Sequence, residues 1–379
     1  VNITAIVPAA GQSSRMGRLK ALMPLGHGSV LSCVVEALRT AGVIDIIVVT
    51  GHAAEDIEQA AWGVHAHTAH NPDHAHGMFS SITAGMDALP TDVDGFLVLP
   101  VDIPLVRSES IRALLEDFDR AHAPVTYPTF RGERGHPPLI RADLRDAILA
   151  HDGANGLRGA LERFDAQAND IAVPDSGILL DLDTPADYVA ARNLAQHRAT
   201  PTTDECLALW DMADTAPDTR EHCRVVAQAA RIMAEALNRT RRDAPPLDTE
   251  MAHAAALLHD LAKGRHHHEA AGAELLKTWG FDAIAEIVGA HRDISLPEDA
   301  PITEREIVFL ADKFVSGTRI VTINERYGER LRQWLRDPAA SRAIRERLSR
   351  ARALCTRFET EARVHMPDLL IEAIPELEG

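Results

Sequence analysis

Ile3-Thr4-Ala5-Ile6-Val7-Pro8-Ala9-Ala10-Gly11-Gln12-Ser13-Ser14-Arg15-Met16-Gly17-Arg18-Leu19-Lys20 is the stretch whose reading decides the fold. It starts as a short apolar run, the pattern of a strand buried on both faces. The run breaks into small residues, which let the backbone approach a ligand closely. Successive N–H groups can then share one concavity and hold phosphate oxygens. Arg15 and Lys20 add fixed charge for a triphosphate. The string has neither the Gly-Lys-Ser/Thr ending of a P-loop nor the spacing of a dinucleotide fingerprint. Taken alone, such a turn is as readily a tight β-α connection.

Working outward, strand patterns recur at 44–50, 64–68, 95–101 and 125–127. Helical spacing recurs at 30–41, 80–88 and 108–121. This alternation predicts a mainly parallel sheet covered on both faces, with ligands at the carboxyl ends of its strands. Asp102 follows the 95–101 run, so its carboxylate should emerge at that edge. There it can hold Mg²⁺, a hard cation that shares its shell with phosphates. Asp183, after the run 178–182, is the expected second ligand, and Ser108 the expected cap of the next helix. The cluster His65, His67, His70, His74 and His76 reads as an exposed strand and loop in preference to a metal site.

The pattern changes near residue 198, where a short polar connector carries Pro201. Beyond it no strand is evident. Helical patterns run at 204–214, 218–238, 248–262, 267–278, 281–291, 302–316 and 338–364. The expected domains are thus an α/β domain at 1–198 and an all-α domain at 203–379. In the second, His259-Asp260 ends an amphipathic helix, and adjacent His and Asp can ligate one ion through nitrogen and oxygen. His222 lies upstream and Asp312 downstream, both on helical segments. Four lysines stand among 39 basic residues, and Lys20, Lys263 and Lys313 all fall inside these constellations. A chain that uses arginine almost everywhere tends to keep lysine where a compact ammonium is needed.

The first string, with Asn71-Pro72-Asp73 through Ser80-Ser81, Leu99-Pro100-Val101-Asp102, Gly135-His136-Pro137-Pro138 and Asp181-Leu182-Asp183-Thr184-Pro185, resembles the Rossmann-like nucleotidyltransferases of the molybdenum cofactor cytidylyltransferase type. Pro8 departs from the family's more usual Leu. The resemblance implies that Ala10, Gly11, Ser13, Arg15 and Lys20 cradle the triphosphate. It places Gly77, Ser80 and Ser81 near the nucleoside, and Mg²⁺ on Asp102 and Asp183. Ala9-Ala10-Gly11 favours CTP, and the implied acceptor is a molybdopterin-type cofactor, with a molybdenum hydroxylase apoenzyme as a further partner. The order His222 … His259-Asp260 … Asp312 is similar to the HD phosphohydrolase superfamily, with His268 and His291 matching the extra histidines of its HDIG-like branch. That resemblance implies a divalent transition metal, Mn²⁺ or Fe²⁺, with Lys263 on a substrate phosphate. Two alternatives stay open: another small phosphorylated acceptor, or a non-catalytic cofactor carrier with a sensory HD half.

Composition narrows the field. The chain has 379 residues, 46% of them hydrophobic and 25% charged, as in globular folds. Its net charge of −17 argues against a nucleic-acid binder, which needs surplus Lys and Arg. No apolar run reaches the ~18 residues of a membrane span. Four scattered cysteines without a Cys-x-x-Cys pair suit a reducing, cytoplasmic setting.

Overall fold

The structure is a computed structural model that describes residues 1–11, 18–242, 244–294, 297 and 300–374. Ser13 and Arg15 therefore lie outside the described residues. The chain divides into two units, Val1–Arg198 and Ala199–Gly379.

Among the described residues the main sheet of the first unit has eight strands: β1 (Ile3–Pro8), β2 (Asp45–Thr50), β3 (His67–His70), β4 (Gly95–Val98), β5 (Val125–Phe130), β6 (Glu133–Arg134), β7 (Leu139–Arg141) and β8 (Asn169–Ala172). They form one sheet in the order β8-β5-β7-β4-β1-β2-β3, with β6 beside β5. β1 is parallel to β2 and β4, β2 to β3, and β5 to β8. β7 runs antiparallel to both β4 and β5, and β6 antiparallel to β5, so the sheet is mixed where a mainly parallel one is expected. Every residue of β1 and β4 is buried. The edge strand β3 is largely exposed. It begins three residues later than its apolar pattern suggests, because His65 turns the chain at φ 57°.

Among the described residues seven α-helices belong to this unit: α1 (Val30–Thr40), α2 (Ala54–Gly63), α3 (Met78–Asp87), α4 (Ser108–Ala121), α5 (Arg145–Leu149), α6 (Gly156–Leu161) and α7 (Pro185–Gln196). On one face of the sheet, Ile82 and Met86 of α3 pack among Ile6, Ile47, Val49, Phe96 and Val98. The approach requires Gly85, where a Cβ would lie 2.4 Å from the Ile6 side chain. The alternate residues Ala5, Val7 and Leu97 are equally buried, so the other face is covered too. Ser108 does not cap α4. The cap position is Arg107, and the fully buried Asp175 does the work from a distance. Its Oδ2 accepts from the Arg107 amide at 2.7 Å and from Ser110 Oγ at 2.8 Å.

The second unit holds α8 (Thr203–Met212), α9 (Pro217–Thr240), α10 (Thr249–Leu258), α11 (His268–Thr278), α12 (Asp282–Ala290), α13 (Glu304–Lys313), α14 (Ile323–Gln333), α15 (Pro338–Ala362) and α16 (Met366–Ala373). The central α9 packs against α10, α13, α15 and α16. Its buried face includes His222, Val226, Ala230 and Met233, the one-turn spacing of an amphipathic helix. The expectation of no strand is corrected at one point: Val315–Ser316 and Arg319–Ile320 form a short antiparallel pair around Gly317, whose φ is 60°. No described helix is long and apolar enough to cross a membrane.

Candidate functional site

In the first unit, the end of β1 opens into a cavity of about 230 Å³. Ala10, Gly11, Lys20, Gly77, Ser81 and Asp102 line it, so six of the residues singled out in the sequence converge on one space. Asp102 arrives as expected, from the strand end: the Leu99 and Val101 amides still bond Ile6 O and Pro8 O alongside β1. The Asp102 carbonyl accepts from the Leu182 amide at 2.9 Å, which brings the 181–183 segment to the same edge. Thr184 and Asp187 then form a capping box at the start of α7.

Lys20 Nζ lies 3.0 Å from Asp183 and 3.5 Å from Asp102. Ligand atoms of Asp102, Asp181 and Asp183 sit within 4.8 Å of one another. Burial works to lower the lysine pKa, but the Asp183 hydrogen bond and the neighbouring carboxylates outweigh it and raise it. Asp181 is pushed up to about 6, first by burial and then by the charges of Asp102 and Asp183. Three carboxylates gathered around an ammonium form a donor set suited to a hard divalent cation, with Lys20 standing where positive charge is required. Asp181 is a third carboxylate that the sequence reading does not single out as a ligand. Its signal was the Asp-x-Asp spacing, which does not say that both carboxylates turn to one side.

The nucleoside-side loop is held by Asn71, which is buried. Its Nδ2 donates to Ser80 Oγ at 2.9 Å and to Ser81 Oγ at 3.0 Å, and its Oδ1 accepts from the Asp73 amide. Ser80 Oγ donates in turn to Asp73 O and Gly77 O, so it ties the loop and does not line the cavity. Gly77, at φ 96°, makes the turn into α3. Among the described residues the five loop histidines form no ligand cluster.

A second space in this unit, about 1040 Å³, is lined by Tyr127, Arg134, His136, Asn155 and Arg158. The Arg134 guanidinium stacks 4.4 Å from the Tyr127 ring centre and pairs with Asp165 and Asp170. Burial lowers the His136 pKa, and Asp102 is among the charges acting on it.

In the second unit, four histidines and two aspartates meet between α9, α10, α11, α12 and α13. His222 Nε2 is 3.3 Å from Asp312 Oδ1, and His259 Nε2 is 3.7 Å from both Asp312 Oδ1 and Asp260 Oδ2. The other carboxylate oxygen, Asp260 Oδ1, faces His268 Nε2 at 3.3 Å and His291 Nε2 at 3.7 Å. Asp260 thus stands between two ligand groups, His222-His259-Asp260 and Asp260-His268-His291.

The tautomers decide what the cluster can bind. Nδ1 of His222, His259 and His291 lies 2.7–2.8 Å from the carbonyls of Gly317, Ala256 and Val288. A carbonyl only accepts, so each Nδ1 donates and a neutral ring turns its Nε2 lone pair toward the carboxylates. Burial keeps His259 low, and burial with His259 holds His291 at about 4. His259 Nε2 is buried with no hydrogen-bond partner among the described residues. Lone pairs facing carboxylates repel unless a cation lies between them, so this donor set fits a divalent transition metal.

Burial works to raise Asp260 and Asp312. His259 and Lys263 hold the first well below the usual carboxylate range, and Lys313 and His222 hold the second there. Lys263 Nζ is 2.8 Å from Asp260 and Lys313 Nζ 2.6 Å from Asp312. Lys263, expected on a substrate phosphate, therefore pairs here with a ligand carboxylate.

A family model described as MobA-like NTP transferase domain matches residues 5–170, and one described as HD domain matches residues 219–317. A probable molybdenum cofactor guanylyltransferase of Mycobacterium avium (strain 104) is 30% identical over 204 residues, 52% of this chain and 98% of that protein. The chain belongs to the MobA-like NTP transferases. Its N-terminal unit is a nucleotidyltransferase related to the molybdenum cofactor cytidylyl- and guanylyltransferases, joined to an HD domain of the kind typical of phosphohydrolases. The molybdenum cofactor cytidylyltransferase of Escherichia coli (strain K12) is 28% identical over 192 residues, 50% of this chain and 95% of that protein. A solved nucleotidyl transferase from Methanothermobacter thermautotroptrophicus is 27% identical and covers 52% of this chain and 98% of its own, with a TM-score of 0.46. These three relatives span about half of this chain.

The histidine geometry predicts a pH effect in chelator-treated protein. His291 titrates near 4 when folded and near 6.5 when unfolded. Between those values the unfolded chain binds more protons, so stability falls as pH drops from about 6.5 to 4. The loss is on the order of 3 kcal/mol. Asp260 and Asp312, depressed when folded, add their own loss at lower pH. Thermal melting from pH 7.5 to 4.5 checks this, and a flat midpoint for the helical unit contradicts it.

Proposed function

We propose that the N-terminal unit transfers CMP from CTP to the phosphate of a molybdopterin-type cofactor. An acceptor phosphate oxygen attacks the α-phosphorus, the bond to the β-phosphate breaks, and pyrophosphate leaves. The reading rests on the meeting of Lys20, Asp102, Asp181 and Asp183 at the mouth of the Ala10-Gly11 cavity. Lys20 binds the β/γ-phosphates, and the Ala10 and Gly11 backbone borders the triphosphate. Mg²⁺ held by Asp102 and Asp183 would neutralise charge on the triphosphate and leaving group. The acceptor enters the space lined by Tyr127, His136 and Arg158. We read the HD unit as a metal-dependent phosphohydrolase, its metal held by His222, His259, Asp260 and Asp312, with His268 and His291 at a second position. Mn²⁺ or Fe²⁺ there would supply Lewis acidity toward a phosphate and an acidified water.

Pyrophosphate release with each nucleoside triphosphate and purified cofactor tests the transfer. CTP is expected to be fastest. If GTP outperforms it, the argument from Ala9-Ala10-Gly11 fails. If cofactor binds tightly and no triphosphate releases pyrophosphate, the unit is a carrier. Lys20→Ala should lower kcat/KM for CTP about tenfold or more, the loss of at least ~1.4 kcal/mol of transition-state binding. Unchanged kcat/KM would make Lys20 only a counter-ion for the three aspartates.

A further inference from the structure

Helices α14 and α15 follow the segment that the HD model matches, and both turn a face to the metal-ligand cluster. A cavity of about 430 Å³ opens from Asp260 and Asp312 and is walled by these helices. On α14 its lining residues are Arg326, Arg330, Gln333 and the capping Trp334. On α15 they are Ala340, Ala343, Ile344 and Arg347. Both sets follow the three-to-four-residue spacing of a single helix face. The wall is pinned beside His291: Arg350 holds Asp293 with two 2.8 Å contacts, and Arg347 Nε reaches it at 3.6 Å. Arg352 ties α15 to Asn324 of α14.

The charge of this space exceeds what the ligands need. Lys263, Arg292, Lys313, Arg326, Arg330 and Arg347 line it against two carboxylates, Asp260 and Asp312. The two lysines already pair with those carboxylates, at 2.8 and 2.6 Å. Arg292 is taken by Glu269. Arg326 lies 3.6 Å from Asp312, yet its Nε is buried without a hydrogen-bond partner among the described residues. The hydroxyl of Tyr327, the next residue on α14, is buried and unpartnered in the same sense. Arg330 forms no ion pair among the described residues and is exposed to the cavity mouth. Trp334, 51% exposed, presents an aromatic surface to the same space. Orphaned donors next to surplus cations call for an anionic acceptor.

We propose that α14 and α15 form a recognition wall for a diphosphate ester that carries a planar heterocycle at its far end. Arg326 meets the phosphate nearest Asp312, Arg330 the next anionic group, and Trp334 stacks on the ring. Arg326, Arg330 and Trp334 are spaced by four residues, so they rise about 6 and 12 Å along the helix. That span exceeds one phosphate link and suits a ligand of the nucleoside diphosphate type. Aromatic stacking tolerates any base, so the wall selects for a ring and two phosphates rather than for one sequence of ring atoms. The inference rests on the metal-phosphohydrolase reading of the HD unit, since it names that site's substrate class.

The test is equilibrium binding to the full chain with Lys20→Ala in the background, which weakens the nucleotide site of the first unit. The probes are ADP, GDP, CDP and inorganic pyrophosphate, each titrated with and without Mn²⁺. All three nucleoside diphosphates should bind about tenfold more tightly than pyrophosphate. Trp334→Ala should erase that difference while leaving pyrophosphate affinity unchanged, and Trp334→Phe should keep most of it. Arg330→Ala should weaken every probe about tenfold. Both positions are exposed, and an unchanged melting midpoint confirms that the variants fold. Equal affinity for pyrophosphate and nucleoside diphosphates, or variants that bind as the parent does, would overturn the proposal. Metal content of the same samples separates the two readings: protein that binds Mn²⁺ but ignores the Trp334 and Arg330 changes refutes the wall alone, whereas protein that binds no metal refutes the hydrolase reading beneath it.

Discussion

Asp102→Ala should cut pyrophosphate release by about 10³-fold or more and leave the melting midpoint of the first unit near wild type. Removing one preorganised electrostatic group commonly costs 10² to 10³ in rate, and on the proposed reading Asp102 serves both the cation and the lysine that faces it. The fold should survive because the structural link at this position runs through the backbone: the Asp102 carbonyl, not its carboxylate, accepts from the Leu182 amide. The side chain's ion pair is with Lys20 at 3.5 Å, and Lys20 keeps Asp183 at 3.0 Å when Asp102 is gone. Removing Asp102 also takes away one of the charges that push Asp181 up to about 6, which offsets part of the lost ion pair with Lys20. Asp102→Asn should behave like the alanine variant, since it keeps shape and one oxygen but not the charge. Equal pyrophosphate release by wild type and both variants, at matched melting points, would falsify the role given to Asp102.

The positions of Asp102 and Lys20 were legible because a buried strand followed by small residues leaves few conformations open. β1, β2 and β4 are apolar on both faces and announce themselves as runs. β7 does not: three residues after Pro137-Pro138 carry no periodicity, yet they pair with both β4 and β5 and turn the sheet mixed. β8, Asn-Asp-Ile-Ala, alternates in exposure but not in polarity, because it is an edge. The cap of α4 is not legible locally for a similar reason, since its acceptor, Asp175, arrives from 68 residues downstream of Arg107.

In the second unit the ligand residues, and the separate standing of His268 and His291, could be read from their order along the chain, but the division of the two Asp260 oxygens between the groups could not. That division depends on which oxygen of Asp260 faces which ring, a consequence of helix packing alone. α14 escaped because its buried anchors are only Ile323 and Tyr327, one turn apart in a polar segment. Arg326 on this helix is only 17% exposed and sits beside Asp312, a placement that its polar neighbours in sequence do not signal.

The two-sided position of Asp260 makes it the residue whose loss should be felt most widely in the HD unit. Asp260→Ala is expected to abolish stoichiometric metal binding and any phosphohydrolase activity together, whereas His268→Ala should reduce metal content without removing it. The reason is geometric. Oδ2 of Asp260 faces His259, and Oδ1 faces both His268 and His291, so one substitution disables both ligand groups. His268 belongs to one group only. The variant should still fold without metal. Its partner Lys263 is 49% exposed and can return to water, while His259 and His291 are held neutral by burial and need no counter-ion. In wild type, free metal at about 100 times its Kd stabilises the folded unit by roughly 2.7 kcal/mol through linkage. Chelator should therefore lower the wild-type melting midpoint and leave Asp260→Ala unmoved. Metal analysis and melting of the full chain, with and without chelator, decide the matter: identical metal content and identical chelator response in the two proteins would mean that Asp260 holds no metal, and its buried carboxylate would then serve only as the partner of Lys263.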